Sequence, residues 1–245
     1  MVDLKANSAC KTLCFFSDGY RIEGHLHLPS QKRPPVVIGS HGLFATQDSP
    51  KQLALAHACN LLGMAFFRFD HRGCGRSEGG EPERISFEAR CCDLLRACET
   101  MKEREDISGA VALFGSSLGG AAACRVSAMI QPNALVTFAA PVNSRCILDS
   151  MPYHQLQIKQ PLSFFERLSF DNGKYLSYIQ NVLVFHGEYD EVVPVSEAHK
   201  IYRFAGNPKK LMIQKNGDHR MSSKVHQDAF VHMAAKWFSK GFERS

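Results

Sequence analysis

Short apolar runs alternate with longer stretches of helical pattern along this chain, and that alternation constrains its fold more than any other feature. The runs at 36–40, 64–70, 110–114 and 134–139 are dominated by apolar residues. A strand without a polar side has to be covered on both faces, which is the environment of a parallel sheet between layers of helices. Helical stretches near 50–62 and 87–102 fall between these runs. Ahead of them, 12–17 and 22–28 read as two antiparallel strands, the second alternating in polarity, joined at Asp18-Gly19. The expected fold class is α/β, with a mainly parallel central sheet flanked by helices.

Within this rhythm the run Ala110-Val111-Ala112-Leu113-Phe114 is followed at once by Gly115-Ser116-Ser117-Leu118-Gly119 and then by the small residues Gly120 to Cys124. This reads as strand, tight turn and helix, with the Ser117 hydroxyl at the tip. A side chain at either flanking glycine would obstruct the turn or the helix closing on it. The hydroxyl would stand over a helix N-terminus, where unpaired N–H groups favour developing negative charge.

A serine hydroxyl is a weak nucleophile at neutral pH; it needs a base, and the base needs an orienting acid. The segment 181–194 reads as a buried strand running into a loop that carries Asp190, and 209–219 as a strand followed by a turn that carries His219. Singly, Asp190 could be a turn former or a cap for the helix near Ser196, and His219 one surface histidine among 11. Three candidates in this chain order, each just past a strand end, favour the joint reading. Glu188 and Glu191 flank Asp190, which takes the tip of the turn, and His226 lies too far into the final helix. A fourth element, Ser40-His41-Gly42-Leu43-Phe44, follows the apolar run at 36–40. Acyl transfer passes through an oxyanion that needs preorganised N–H donors. The backbone N–H of Leu118 is one candidate; the other lies just past Gly42, with Leu43 favoured over Phe44.

These motifs, together with Asp70-His71-Arg72-Gly73-Cys74-Gly75-Arg76-Ser77, make the chain resemble the α/β-hydrolase superfamily, in its small esterase, acylglycerol-lipase and serine-aminopeptidase-like branch. The likeness runs from about residue 12 to 238. It implies Ser117 as nucleophile, His219 as base then acid, and Asp190 as orienter. It also implies a scaffolding role for the stretch from Asp70 to Ser77, in which Asp70 and Arg72 are expected to pair. Residues 142–180 fall where such proteins insert a lid. Tyr153, Leu156, Leu162, Phe164, Phe165, Leu168 and Phe170 could line an acyl pocket there or pack on the core. Asp149, Glu166 and Asp171 are too dispersed to favour capture of a free amine.

A length of 245 residues suits one domain, 1–245, with 142–180 as its insertion. The net charge of +5 is scattered, with no run of like charge or basic-aromatic stripe, so nucleic acid is not an expected partner. No signal-like or membrane-spanning run is evident, which points to the cytoplasm and against stable membrane insertion. The apolar face of 222–242 (Phe230, Met233, Trp237, Phe238) is expected to pack on the core. Nine cysteines, an odd number without zinc-like spacing, read as reduced and mostly buried, with Cys74 nearest the pocket.

The expected activity is cleavage of carboxylic esters through an acyl-enzyme, on a small-molecule acyl substrate and with no cofactor or metal. Thioesterase, lactonase or peptidase action would use the same machinery, and a ligand-binding receptor with vestigial hydrolysis is the reading from another class.

Overall fold

The computed structural model describes residues 9–150 and 166–244. Asp18 and Gly19 both take positive φ, 48° and 84°. The chain therefore reverses within two residues, a twist that suits a two-residue hairpin, and β1 (Ala9–Ser17) pairs antiparallel with β2 (Tyr20–Leu28), Ser17 opposite Tyr20. Then follow β3 (Val36–Ser40), β4 (Ala65–Phe69), β5 (Val111–Ser116), β6 (Leu135–Phe138), β7 (Val182–Gly187) and β8 (Lys209–Gln214). They form one eight-stranded sheet in the order β1-β2-β4-β3-β5-β6-β7-β8, antiparallel from β1 to β4 and parallel from β4 to β8. The expected α/β class and its mainly parallel sheet are what the molecule shows.

Alternate residues along the strands feed two cores. On one face Val36, Ile38, Phe67, Leu113 and Leu135 pack with α3 (Phe87–Lys102), α4 (Leu118–Ile130) and α6 (Ser196–Phe204). On the other, Val37, Phe66, Phe114, Val136 and Phe138 meet α1 (Pro50–Leu61) and α7 (Lys224–Phe242). Phe230 of α7 lies edge-on to Phe138 and Phe185, with centroids 6.0 and 5.0 Å away. Truncating so buried a ring costs about 3–5 kcal/mol. Phe238 is buried beside it, and the Trp237 Nε1–H donates to the Asn181 carbonyl at 3.1 Å. The apolar face of this helix thus packs on the sheet.

A short helix, α2 (Glu81–Ile85), was not foreseen; five residues carry too little periodicity to be seen in a sequence. Between β6 and β7 come α5 (Arg145–Ser150) and a 3-10 turn at Gly173–Tyr178. The Asn172 N–H donates to the Val142 carbonyl at 2.8 Å, and Asn143 bridges to Asp171, so the two ends of this insertion are tied together. Leu168 and Phe170 belong to the core, with Phe170 stacked on Phe87 at 4.0 Å. Tyr153, Leu156, Leu162, Phe164 and Phe165 lie outside the described residues.

Candidate active site

Ser117 has φ 53° and ψ −124°, a conformation that costs a residue with a Cβ about 1–3 kcal/mol. The glycines on either side are what permit it. A Cβ on Gly115 would sit 2.4 Å from the Gly119 carbonyl oxygen, and one on Gly119 would sit 2.3 Å from that of Ser40. Larger residues would push α4 off the ends of β3 and β5. The Ser117 N–H donates to the Phe138 carbonyl at 2.8 Å, which ties the turn to β6.

The loops after β7 and β8 bring the other two candidates to the same edge. His219 Nε2 is 3.2 Å from Ser117 Oγ, and Nδ1 is 2.8 Å from both carboxylate oxygens of Asp190. The Nδ1–H donates to Asp190, leaving the Nε2 lone pair toward the hydroxyl. The His219 N–H in turn donates to Glu191 at 3.1 Å. Burial alone would raise the Asp190 carboxyl, but hydrogen bonds from His186, His219 and the Val193 N–H outweigh it. The group is held far below the usual carboxylate range. Oδ1 accepts from the Val192 and Val193 N–H groups at 2.9 and 2.7 Å.

His186 was not foreseen as part of this arrangement, although it stands four residues before Asp190. It is fully buried at the end of β7, and its Nε2–H reaches the Val193 carbonyl at 2.7 Å with Asp190 Oδ2 3.2 Å away. The i, i+4 spacing across a tight loop was the available signal.

Leu118 opens α4 directly beside Ser117. Gly42 lies against the nucleophile turn as well: a Cβ placed on it would be 3.4 Å from Ser117 Cβ. Among the described residues, no acceptor takes the N–H of Leu43 or of Leu118. These two N–H groups, one in the residue after Ser117 and one in the residue after Gly42, are therefore without a competing acceptor among the described residues. The loop at 41–44 is held from behind. His41 Nδ1–H donates to the Gly42 carbonyl at 2.8 Å, while its Nε2 accepts from the His71 N–H at 3.2 Å. Burial, with Arg90 and His71 nearby, keeps the His41 ring well below its ordinary pKa and neutral.

The expected pairing of Asp70 with Arg72 is not found. Asp70 accepts from the Gln47 N–H and side-chain amide, both at 2.8 Å, and from the Arg76 N–H at 3.2 Å. Arg72 turns the other way, to Asp93 of α3 at 2.6 and 2.8 Å and to Ser17 and Asp18 of the hairpin turn at 2.7 and 2.9 Å. Both residues lie past the end of β4, where the chain turns and the strand's alternation no longer sets side-chain direction, so each takes the partner its own loop position faces. The stretch is a scaffold, as expected, but through other contacts. Cys74 is buried there with its Sγ 3.7 Å from Arg90, and burial raises its thiol pKa despite that cation. Among the described residues there is no cluster of His, Cys, Asp and Glu side chains able to hold a metal, and no helix is long and apolar enough to cross a membrane.

Comparison with known proteins agrees with this architecture. An uncharacterised protein of Mycobacterium tuberculosis is 29% identical over 205 residues, covering 80% of this chain and 67% of its own length. The mitochondrial palmitoyl-protein thioesterase ABHD10 of Mus musculus is 27% identical over 218 residues, covering 79% of this chain and 71% of its own. Among solved structures, the α/β hydrolase GrgF from Penicillium superposes with a TM-score of 0.79 at 18% identity, over 95% of this chain and 99% of that one. Residues 31–181 match the family model described as serine aminopeptidase, S33, a stretch that contains Ser117 and stops before Asp190 and His219. Matched over more than half its length, the chain belongs to the serine aminopeptidase S33 family of α/β hydrolases.

Proposed function

We propose that the protein hydrolyses carboxylic esters through an acyl-enzyme, with Ser117 as nucleophile, His219 as general base and then acid, and Asp190 as the orienting carboxylate. The observation that carries this reading is the position of His219, 2.8 Å from Asp190 on one ring nitrogen and 3.2 Å from Ser117 Oγ on the other. His219 Nε2 takes the hydroxyl proton as Oγ bonds to the carbonyl carbon, and the carbonyl oxygen becomes an oxyanion between the N–H groups of Leu43 and Leu118. Collapse of this adduct breaks the bond to the alcohol, which leaves with the proton from Nε2. Water then attacks the acyl group by the same route and returns Ser117 to its starting state. Asp190 keeps the ring in the right tautomer and stabilises the imidazolium that forms in each half-reaction.

The strained backbone at Ser117 fits a residue kept for chemistry, since it aims the hydroxyl away from its own helix. Residues 142–180, inserted between two core strands, would form the lid over the acyl group. A fluorophosphonate probe tests the assignment: the expected result is covalent labelling of the wild-type protein and none of Ser117→Ala. Labelling that survives the substitution places the nucleophile elsewhere.

Thioester hydrolysis is the second reading, favoured by the 27% identity to a palmitoyl-protein thioesterase. Turnover of p-nitrophenyl esters, acyl thioesters and aminoacyl amides, compared on one preparation, ranks ester, thioester and amide cleavage.

A further inference from the structure

The proposed oxyanion loop is braced by a buried cation. Arg90, on α3, is wholly buried. Its Nη1 donates to the His41 carbonyl at 3.1 Å, its Nη2 to the Leu43 carbonyl at 3.2 Å, and its Nε to the Arg84 carbonyl at 3.1 Å. Among the described residues none of its hydrogen bonds goes to a carboxylate: Asp93 acts on it only through its charge, and Nη2 also meets the Cys74 sulfur at 3.7 Å. Burying a guanidinium without a counter-ion in contact is costly, and a leucine or methionine would fill the same volume without that penalty. The geometry therefore asks what the fork of donors accomplishes.

In a trans peptide the carbonyl of one residue and the N–H of the next point in opposite directions. Three consecutive carbonyls of this loop are captured on the protein side: His41 and Leu43 by Arg90, and Gly42 by the ring of His41. The Gly42 carbonyl shares its peptide plane with the Leu43 N–H. Fixing the planes before, at and after this position sets the direction of that N–H, in a loop that lies against the nucleophile turn. We propose that Arg90 is a positioning residue, whose two-pronged hold on the His41 and Leu43 carbonyls keeps the Leu43 N–H aimed at the oxyanion. This rests on the acyl-transfer reading of the site. It predicts a defect confined to the step in which negative charge develops, because a ground-state carbonyl needs little from that donor.

The experiment uses the full chain and begins with the wild type, whose ester turnover and fluorophosphonate labelling test the underlying reading. Arg90→Met keeps the volume and removes the donors. Its kcat is expected to fall about 30-fold with KM within about twofold of wild type. An aryl trifluoromethyl ketone, which adds to the serine as a charged hemiketal, should weaken by a similar factor, while the corresponding methyl ketone should bind unchanged. Arg90→Lys, able to reach one carbonyl at a time, should recover part of both losses. A packing role alone would lower the melting temperature and the number of titratable sites but leave the turnover per titrated site intact. The inference is overturned by a per-site kcat for Arg90→Met within threefold of wild type, or by a loss expressed in KM alone. It is also overturned if neither variant folds, which would make Arg90 a folding residue. A wild type inert to ester and probe would instead remove the acyl-transfer reading, and this inference with it.

Discussion

Two Ser–His–Asp arrangements occur among the described residues, and the one with the shorter serine–histidine contact is not the one proposed to act. Ser40 Oγ lies 2.8 Å from His71 Nε2, and His71 Nδ1 lies 3.5 Å from Asp93 Oδ2. In the other, Ser117 Oγ and His219 Nε2 are 3.2 Å apart. All three groups of the first are sealed in the core, whereas the His219 side chain keeps 16% of its surface exposed. Ser40 sits in regular strand backbone opposite Gly115, and Ser117 in a strained turn beside two unclaimed N–H groups. The acids differ as well. Burial would raise the Asp93 carboxyl, but His71 and Arg72 hold it at about 2. Residue identity and proximity are thus common to both arrangements. Access and a hydroxyl turned out of its element belong to one of them, the one to which the proposed function assigns the chemistry.

The sharpest way to break this contrast is to delete each hydroxyl. Ser117→Ala should lower ester kcat by roughly a millionfold, the scale on which a nucleophile acts, with a melting temperature close to wild type. Ser40→Ala should leave kcat within a few-fold but lose about 1–3 kcal/mol of stability, because a buried imidazole nitrogen is left without its partner. Urea unfolding and steady-state kinetics on both variants check this, and interchanged phenotypes would refute the contrast. The acids come next. Asp190→Asn should cost about four orders of magnitude in kcat, since the amide no longer selects the His219 tautomer. Asp93→Asn should act on folding, by about 3 kcal/mol, because Arg72 stays buried with its main counter-charge removed.

The half of this comparison proposed to bear on chemistry is legible in the sequence, and the other half is not. Ser117, Asp190 and His219 each lie within five residues of a strand end, so knowing the strands is enough to bring them to one edge. The hairpin at Asp18-Gly19 and the helix Phe87–Lys102 were legible for the same local reasons. Ser40, His71 and Asp93 meet only because α3 carries Asp93 to the loop that follows β4. No local pattern announces that, and it is also why Arg72 was assigned to Asp70 and not to Asp93. In the sequence, Arg90 is one polar residue among several in the stretch 87–102. A buried cation satisfied by carbonyls leaves no mark in the sequence, because its partners are backbone groups.

A smaller effect marks the buried histidine through pH. Burial, opposed by Asp93, brings the His71 pKa down to about 4, against 6.5 in the unfolded chain. The unfolded state therefore binds more protons between these values. Stability from this group is complete above pH 6.5 and declines as pH falls toward 4, by about 2 kcal/mol between pH 7 and pH 5. His27, brought to about 4 by burial beside Arg68, adds to the same slope. Asp190, already ionised throughout that window, adds nothing to it. Urea unfolding at the two pH values should show the loss, and His71→Asn should remove its share, leaving the slope that His27 and His41 contribute. An unchanged slope in that variant would move the proton uptake to other groups.

His186 gives the smallest expected effect and the finest test of what surrounds an acid. Asp93 is neutralised by the guanidinium of Arg72, a full charge that fixes a loop and is insensitive to pH. Asp190 is held by backbone N–H groups and by one edge of the His186 ring, leaving its charge for His219. Replacing His186 with Phe keeps the ring volume and removes that contact, while the N–H groups of Val192 and Val193 stay. The carboxylate should remain in place but lose part of its restraint, for a fall in kcat of about five- to tenfold, equivalent to about 1 kcal/mol, with KM unchanged. His186→Arg would put at Asp190 the kind of partner that Asp93 has. A cation competing with His219 for the same oxygens should lower kcat further than Phe does. If the two variants proved equal in kcat, the difference in how the two acids are held would carry no weight for the chemistry.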